Sequence, residues 1–555
     1  MSSRGVYGPG TFTDDKFTPV PLECKRILKL LVKATPGFTQ DVAVLDSVSF
    51  VGGDYPIIPG PIKSQAVTAV IHAMAGIVGQ EILELRGQKR SALTINTDQA
   101  GLYLASPVTF SVDGRDAVQL IESGQLDKLA PDTMNGAVEG PLKYRAMAIY
   151  PTKNPGEWYQ WHGSNDPNPG LRLLGIDPDA RLPSNDAAYE LIKSRVSQYS
   201  AKELDMMMTE HGLCGCTCYT PEAWRQTSMA KVLARHPLIN YKRKLETPDL
   251  PPSPFHGRAG PHYRGACSGA GFGRVGCGGH PRPEEELGGS DFAAVYLDCW
   301  KENIRLGLGQ RGWQGDAARA AEGCRRGDSG IPDSLLGAER IRARRPPGHG
   351  QRARTGIVYL DENCFGPDGC WAERPGWQQI ADAAAGSTYV MGRAYGYTNG
   401  ECVLPSLPIS DMSTGAVSLV AVLMALRDRA KFGGSYYGAA ALTAYNTFTL
   451  QEEVGLYQPD VVAKIQEMWS FPKMTPEHHV YDLLFMLWKA WVKKGGLVDS
   501  EDFYAHFRDT AFGRNMKILA PIIQYANDEV NPRWITPPQP YCYNTGAIAF
   551  ANASG

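Results

Sequence analysis

Pro405-Ser406-Leu407-Pro408-Ile409-Ser410-Asp411-Met412-Ser413-Thr414-Gly415 leads into Ala416 to Leu426, which is apolar except for Ser418. A Pro-punctuated loop that opens onto such a run predicts a long helix, from Asp411 to Arg429. Two readings of Asp411 follow. Ser410, Asp411 and Ser413 all suit an N-cap, the commoner use of such residues. A carboxylate at a helix start is also placed for chemistry. Working outward, Gly356 to Leu360 (Gly-Ile-Val-Tyr-Leu) reads as a strand, then a Gly/Pro loop and a helix from Gln378 to Ala385. After the long helix, Ala440 to Ala444 suggests another strand.

The same layout recurs near the start of the chain. Leu22 to Ala34 is an amphipathic helix, Ser64 to Leu85 a second, and Ser91 to Asn96 a short strand. Pro56 to Asn96 and Pro405 to Asn446 share a Pro-rich entry, an apolar helix, a turn and a Leu-Thr pair, an arrangement consistent with an internal repeat. No carboxylate lies between Ile57 and Gln80. If the first copy is a repeat, it lacks the acid.

The rest divides by composition. Residues 140–247 read as mostly helical, with helices at Ala187–Tyr199, Ala201–His211 and Glu222–Ala234, closed by the Pro-rich linker Pro248 to Pro254. Residues 1–139, 248–355, 356–450 and 451–555 are the other expected units, the last helical with aromatic-rich faces. Cys214, Cys216 and Cys218 lack a matching second ligand pair and read as buried thiols rather than a metal site. His478-His479 reads as a helix start.

A chain of 555 residues suggests two to four domains, and its net charge of -2 gives no general electrostatic case for nucleic acid or anionic membrane. The start, Met1 to Thr13, is polar and Gly-rich. Ala416 to Leu426 is too short to span a bilayer. The expectation is a reduced, cytoplasmic protein.

Residues 256–354 differ from all the rest, with fifteen Arg, a single Lys at Lys301, and dense Gly. Neither helical nor strand period appears. A disordered basic linker is one reading. A long insert of this kind inside a globular chain is unusual, and a reading-frame error is the other.

The motifs of residues 356–446 resemble those of the family III CoA-transferases. Glu362-Asn363-Cys364-Phe365-Gly366-Pro367-Asp368-Gly369 is similar to the family's Gly-x-Gly-Pro-x-Gly loop, with Cys364 in place of its first Gly. Trp377-Gln378-Gln379-Ile380-Ala381-Asp382-Ala383 resembles its Tyr-Asp-x-x-x-Gln-Ala helix, with Gln378 in place of Asp and Asp382 in place of Gln. Ser410 to Gly415 resembles its Asp-x-x-Thr-Gly motif. Arg427 to Gly434 resembles its Arg-x-x-x-Gly-x-Gly-Gln turn, without the Gln. In 256–354, a one-base forward shift from Trp300 to Leu308 permits Gly-Lys-Arg-Thr-Tyr-Ala-Leu-Asp-Leu, similar to the family's Gly-Lys-Arg-Ser-x-x-Leu-Asp-Leu. The same shift over Arg340 to Arg354 permits an amphipathic helix. About 256–354 therefore reads as a frame-shifted segment.

The resemblance implies an α/β fold: a Rossmann-like large domain, partly disrupted, and a smaller mostly helical domain, with an internal repeat. It implies CoA transfer between carboxylic acids, with Asp411 as the nucleophile and Gly366, Gly369, Gln379, Gly433 and Gly434 on the substrate. Coenzyme A is then a substrate, not a bound cofactor, and the partners are an acyl-CoA and an acid. A homodimer, or an intrachain pseudo-dimer, is expected. The alternatives are a 2-methylacyl-CoA racemase and a catalytically impaired or non-enzymatic paralogue.

Overall fold

The structure, a computed structural model, describes residues 3–126, 140–164, 166–244, 358–534 and 537–538. The readings made for 256–354, the frame shift included, lie outside the described residues. Two long helices, Ser64–Glu84 and Ile409–Phe432, occupy the centre. Both are apolar on all sides and largely buried, as expected of core helices. The hydroxyls of Thr68 and Ser413 meet at 2.9 Å near one end, and Arg427 Nη1 donates to Glu81 Oε2 at 2.7 Å near the other. The two helices therefore run parallel. By length and composition each is also long and apolar enough to cross a membrane, a test that buried core helices pass as well. The segment Ala416 to Leu426, too short by itself, is only the middle of the longer one.

A three-stranded sheet follows each helix. Leu93–Asn96 is central in the first, parallel to Val48–Val51 and antiparallel to Ile523–Tyr525. Tyr436–Ala441 is central in the second, parallel to Val358–Asn363 and antiparallel to Asn240–Arg243. In both, the central strand comes directly after the long helix and leads into another, Thr97–Tyr103 or Leu442–Thr449. Gly76 lets the first sheet close onto its helix. A Cβ there would stand 2.8 Å from Leu93 Cδ2, and Tyr525 Oη donates to the Gly76 carbonyl at 2.8 Å.

Several expectations need correction. The strand suggested at Ala440 to Ala444 is Tyr436–Ala441, and Leu442-Thr443 already starts a helix. The two Leu-Thr pairs are thus not equivalent, since Leu93-Thr94 is in a strand. The helix expected over Glu222–Ala234 is two, Pro221–Gln226 and Ser228–Leu233. Thr227 between them is extended, and its hydroxyl accepts from Ala230 N at 3.1 Å, capping a new helix.

Residues 140–244 carry six short helices and also an antiparallel sheet, Ile149–Pro151, Trp158–His162 and Cys214–Thr217. Their apolar side chains, among them Tyr150, Tyr159, Trp161, Ile192 and Leu204, form a core of their own. Cys214 and Cys216 are buried free thiols on the third strand, and Cys218 is half-buried.

The C-terminal region is only partly helical. Pro459–Trp469 and Val480–Lys494 are helices, the second capped by His479, whose Nδ1 accepts from Tyr481 N at 3.1 Å. Tyr504–Phe507, Met516–Leu519 and Ile523–Tyr525 are strands. Met516–Leu519 pairs with Phe110–Val112, and Ile523–Tyr525 with Leu93–Asn96, so this region completes N-terminal sheets.

Arg427 joins the halves. Its side chain is 6% exposed and holds Glu81 and Asp428 at 2.7 Å each. Its Nη2 also donates to the Gly37 carbonyl at 2.9 Å. Replacing Arg427 with Met leaves two half-sealed carboxylates without their cation, which costs about 3 kcal/mol. A urea titration should show the midpoint falling accordingly; an unchanged midpoint would remove this network from the account.

Candidate active site

The site is built where the start of the Ile409–Phe432 helix meets the Gln378–Ala385 helix and the end of the Val358–Asn363 strand. The helix is capped by Pro408, without a side-chain cap bond, and Asp411 lies in its first turn. Asp411 is therefore not the N-cap. Its side chain is 5% exposed. No side-chain hydrogen bond to its carboxylate occurs among the described residues, and its oxygens are not among their sealed, partnerless atoms. A buried acid without structural work to do is unusual.

Its neighbour Asp382 is the opposite case. Fully buried, it accepts from Ser410 Oγ at 3.0 Å and from Asn446 Nδ2 at 2.7 Å on one oxygen. Gln378 Nε2 donates to the other. Ser410 immediately precedes Asp411, so the Asp382 network grips the turn that carries Asp411. The N-terminal half grips it from the far side. Thr68 meets Ser413, and Tyr103 Oη donates to the Met412 carbonyl at 3.0 Å.

Burial pushes the Asp411 carboxyl well above the ordinary range, and the negative charges of Asp382 and Glu362 push it further. Burial raises Asp382 to about 7, against the pull of its three donors, Asn446, Ser410 and Gln378. The helix N-terminus favours an anion at Asp411, but desolvation is the larger effect. Cys364, at the strand end, is a buried thiol whose pKa is raised chiefly by burial. Its carbonyl is held by Thr443 N at 3.0 Å and Thr443 Oγ1 at 2.9 Å.

The other expected residues scatter. Gln379 is buried one turn from Asp382, and its side-chain oxygen accepts from Gln160 Nε2 at 3.0 Å. Gly366 and Gly369 have φ of +129° and +96°, backbone that requires glycine. They pack on the Ser228–Leu233 helix: a Cβ on either would stand 2.9 Å from Leu233 or Met229. Gly433 and Gly434 end the long helix, which at 1.5 Å per residue puts them about 30 Å from Asp411. From sequence, Ser410 read only as a cap candidate, Asp382 and Glu362 only as parts of family-like motifs, and Asn446 only as the end of a repeat; none was given a part in the site. The one available signal was an acid inside the apolar run Ile380-Ala381-Asp382-Ala383-Ala384-Ala385.

Comparison with known proteins supplies the class. The model of CoA-transferase family III matches residues 342–460, the segment that carries Asp382, Asp411 and Asn446. The chain belongs to the family III CoA-transferases, an enzyme family. It is 44% identical to an acyl-CoA transferase of Gibberella moniliformis (strain M3125 / FGSC 7600), over 98% of this chain and 98% of that protein. It is 26% identical to the acetyl-coenzyme A transferase nodX of Hypoxylon pulicicidum, over 88% of this chain and 86% of that protein. No solved structure matches.

A carboxyl whose native pKa exceeds its unfolded value of 3.8 binds more protons folded than unfolded between the two values. The stability Asp382 contributes is thus full below about pH 4 and is lost as pH rises through about 7. Chemical denaturation across that window should show Asp382→Asn with a shallower fall than the parent chain. Parallel curves for the two proteins would refute the raised pKa.

Proposed function

We propose that this chain moves CoA from an acyl-CoA to a carboxylic acid through covalent intermediates on Asp411. The supporting observation is a buried first-turn carboxylate that neither caps its helix nor takes a side-chain hydrogen bond among the described residues. An Asp411 oxygen attacks the acyl carbon, the C–S bond breaks, and CoA leaves as thiolate. The thiolate then attacks the Asp411 carbonyl of the resulting anhydride, releasing the donor acid and leaving an aspartyl-CoA thioester. The acceptor carboxylate repeats these steps in reverse. Each intermediate keeps an activated acyl bond, so the thioester's free energy is not lost to water. The covalent steps themselves transfer no proton. Burial helps, because it excludes the water that would hydrolyse an anhydride.

The two helix-and-sheet units, with the same strand order and directions, are read as copies of one unit forming an intrachain pseudo-dimer. Pro61-Ile62 and Ala69-Val70 then match Pro408-Ile409 and Ala416-Val417, which sets the buried Ser64 opposite Asp411. The first copy braces the nucleophile of the second.

Short-chain acyl-CoAs, each paired with its own isotope-labelled acid, test the proposal. Label should enter the thioester with the native chain. With Asp411→Asn, exchange should fall by at least about a thousandfold, the scale for losing a nucleophile, while the melting curve stays intact. Exchange that survives in a folded Asp411→Asn protein would sink the assignment.

A further inference from the structure

Asp382 has a part in this chemistry beyond holding the helix start. Its three donors come from three places: Gln378 on its own helix, Ser410 beside the nucleophile, and Asn446 on the Leu442–Thr449 helix. Such a cradle stabilises a carboxylate rather than a carboxylic acid. The groups that face the two acids are themselves acidic or neutral. Glu362 approaches from the Val358–Asn363 strand, where it accepts from Ser418 Oγ at 3.2 Å. Cys364 follows it in chain, and Tyr445 lies beside Asp382 from the Leu442–Thr449 helix. Arg374 acts on Cys364, yet no Arg, Lys or His is among the described groups that shift Asp382 or Asp411. A structural acid in the interior normally has a cation; this one has a second acid.

We propose that Asp382 is a positioning residue for the exchange, a buried like charge that raises the reactivity of Asp411 and favours its conversion to the acyl form. The inference rests on Asp411 being the nucleophile. In the first step an Asp411 oxygen bonds to the acyl carbon, the C–S bond breaks, and the electron pair departs on sulfur. The negative charge thus moves from Asp411 to CoA. Repulsion from Asp382 is present before the step and relieved after it. The neighbour therefore lifts the free enzyme relative to both covalent intermediates. It also makes Asp411 more basic, and basicity and nucleophilicity rise together. The cost is that Asp411 ionises only at higher pH.

The experiment is the pH profile of isotope exchange, run with whichever acyl-CoA and acid pair the native chain exchanges fastest. For the native chain, the acid limb should lie well above the ordinary carboxylate range. Asp382→Asn and Asp382→Gln should each move the limb down by about one unit or more. They should also lower the plateau kcat about tenfold, since one unit of basicity is a tenfold factor, with KM little changed. Asp382→Gln places an amide of different reach at the same position, so a folding defect in one variant leaves the other to decide. A native acid limb near pH 4, or a limb that stays put in both variants, would overturn the inference. Exchange persisting in Asp411→Asn would instead overturn the nucleophile reading, so the two failures are separable.

Discussion

Parallel packing of the Ser64–Glu84 and Ile409–Phe432 helices is the constraint on which the rest of the structure depends. Neither helix has a polar face to give to water, so each can be stable only inside protein. Packed together, each still has to bury its other sides. The sheet that follows it covers one, and the chain from distant parts of the sequence covers the rest. That is why a C-terminal strand, Ile523–Tyr525, closes an N-terminal sheet. The polar contacts along the seam sit near its ends, Thr68 with Ser413 and Glu81 with Arg427. They fix direction and register between two surfaces that apolar packing alone would leave free to slide.

Register matters because Asp411 is in the first turn of that seam. Ser410 is bound to Asp382, Met412 to Tyr103, and Ser413 to Thr68. The residues on both sides of Asp411 are thus tied, and Asp411 itself is not. A side chain held by its neighbours but not by its own carboxylate is positioned without being used up. Crowding Asp382 and Glu362 against it is unfavourable for folding. For the step proposed for Asp411, in which the carboxylate gives up its charge, the same crowding is favourable.

Much of this was legible in the sequence. The two long helices and Gln378–Ala385 follow from apolar runs and Pro and Gly punctuation, which act locally. Asp411 followed from a motif resemblance. What escaped was whatever depends on remote partners. Trp158–His162 is buried on both faces, so its strand has no alternation to read. Met516–Leu519 pairs with Phe110–Val112, some four hundred residues earlier, and Tyr504–Phe507 joins that sheet only through Met516–Leu519. Asp382 was visible as a lone acid in an Ala-rich helix, but its meaning lies in Ser410 and Asn446, which only the fold brings near. Gly433 and Gly434 were grouped with the site by motif, and the length of the helix separates them from Asp411.

The covalent step is the centre of the account, and locating the adduct tests it most directly. Incubation with an acyl-CoA, followed by hydroxylamine, should convert an activated carboxyl into a hydroxamate, which peptide mass mapping can place. The account predicts the label on Asp411, dependent on acyl-CoA and absent from Asp382 and Glu362. A label on another residue, or exchange proceeding while Asp411 stays unmodified under trapping, would contradict it.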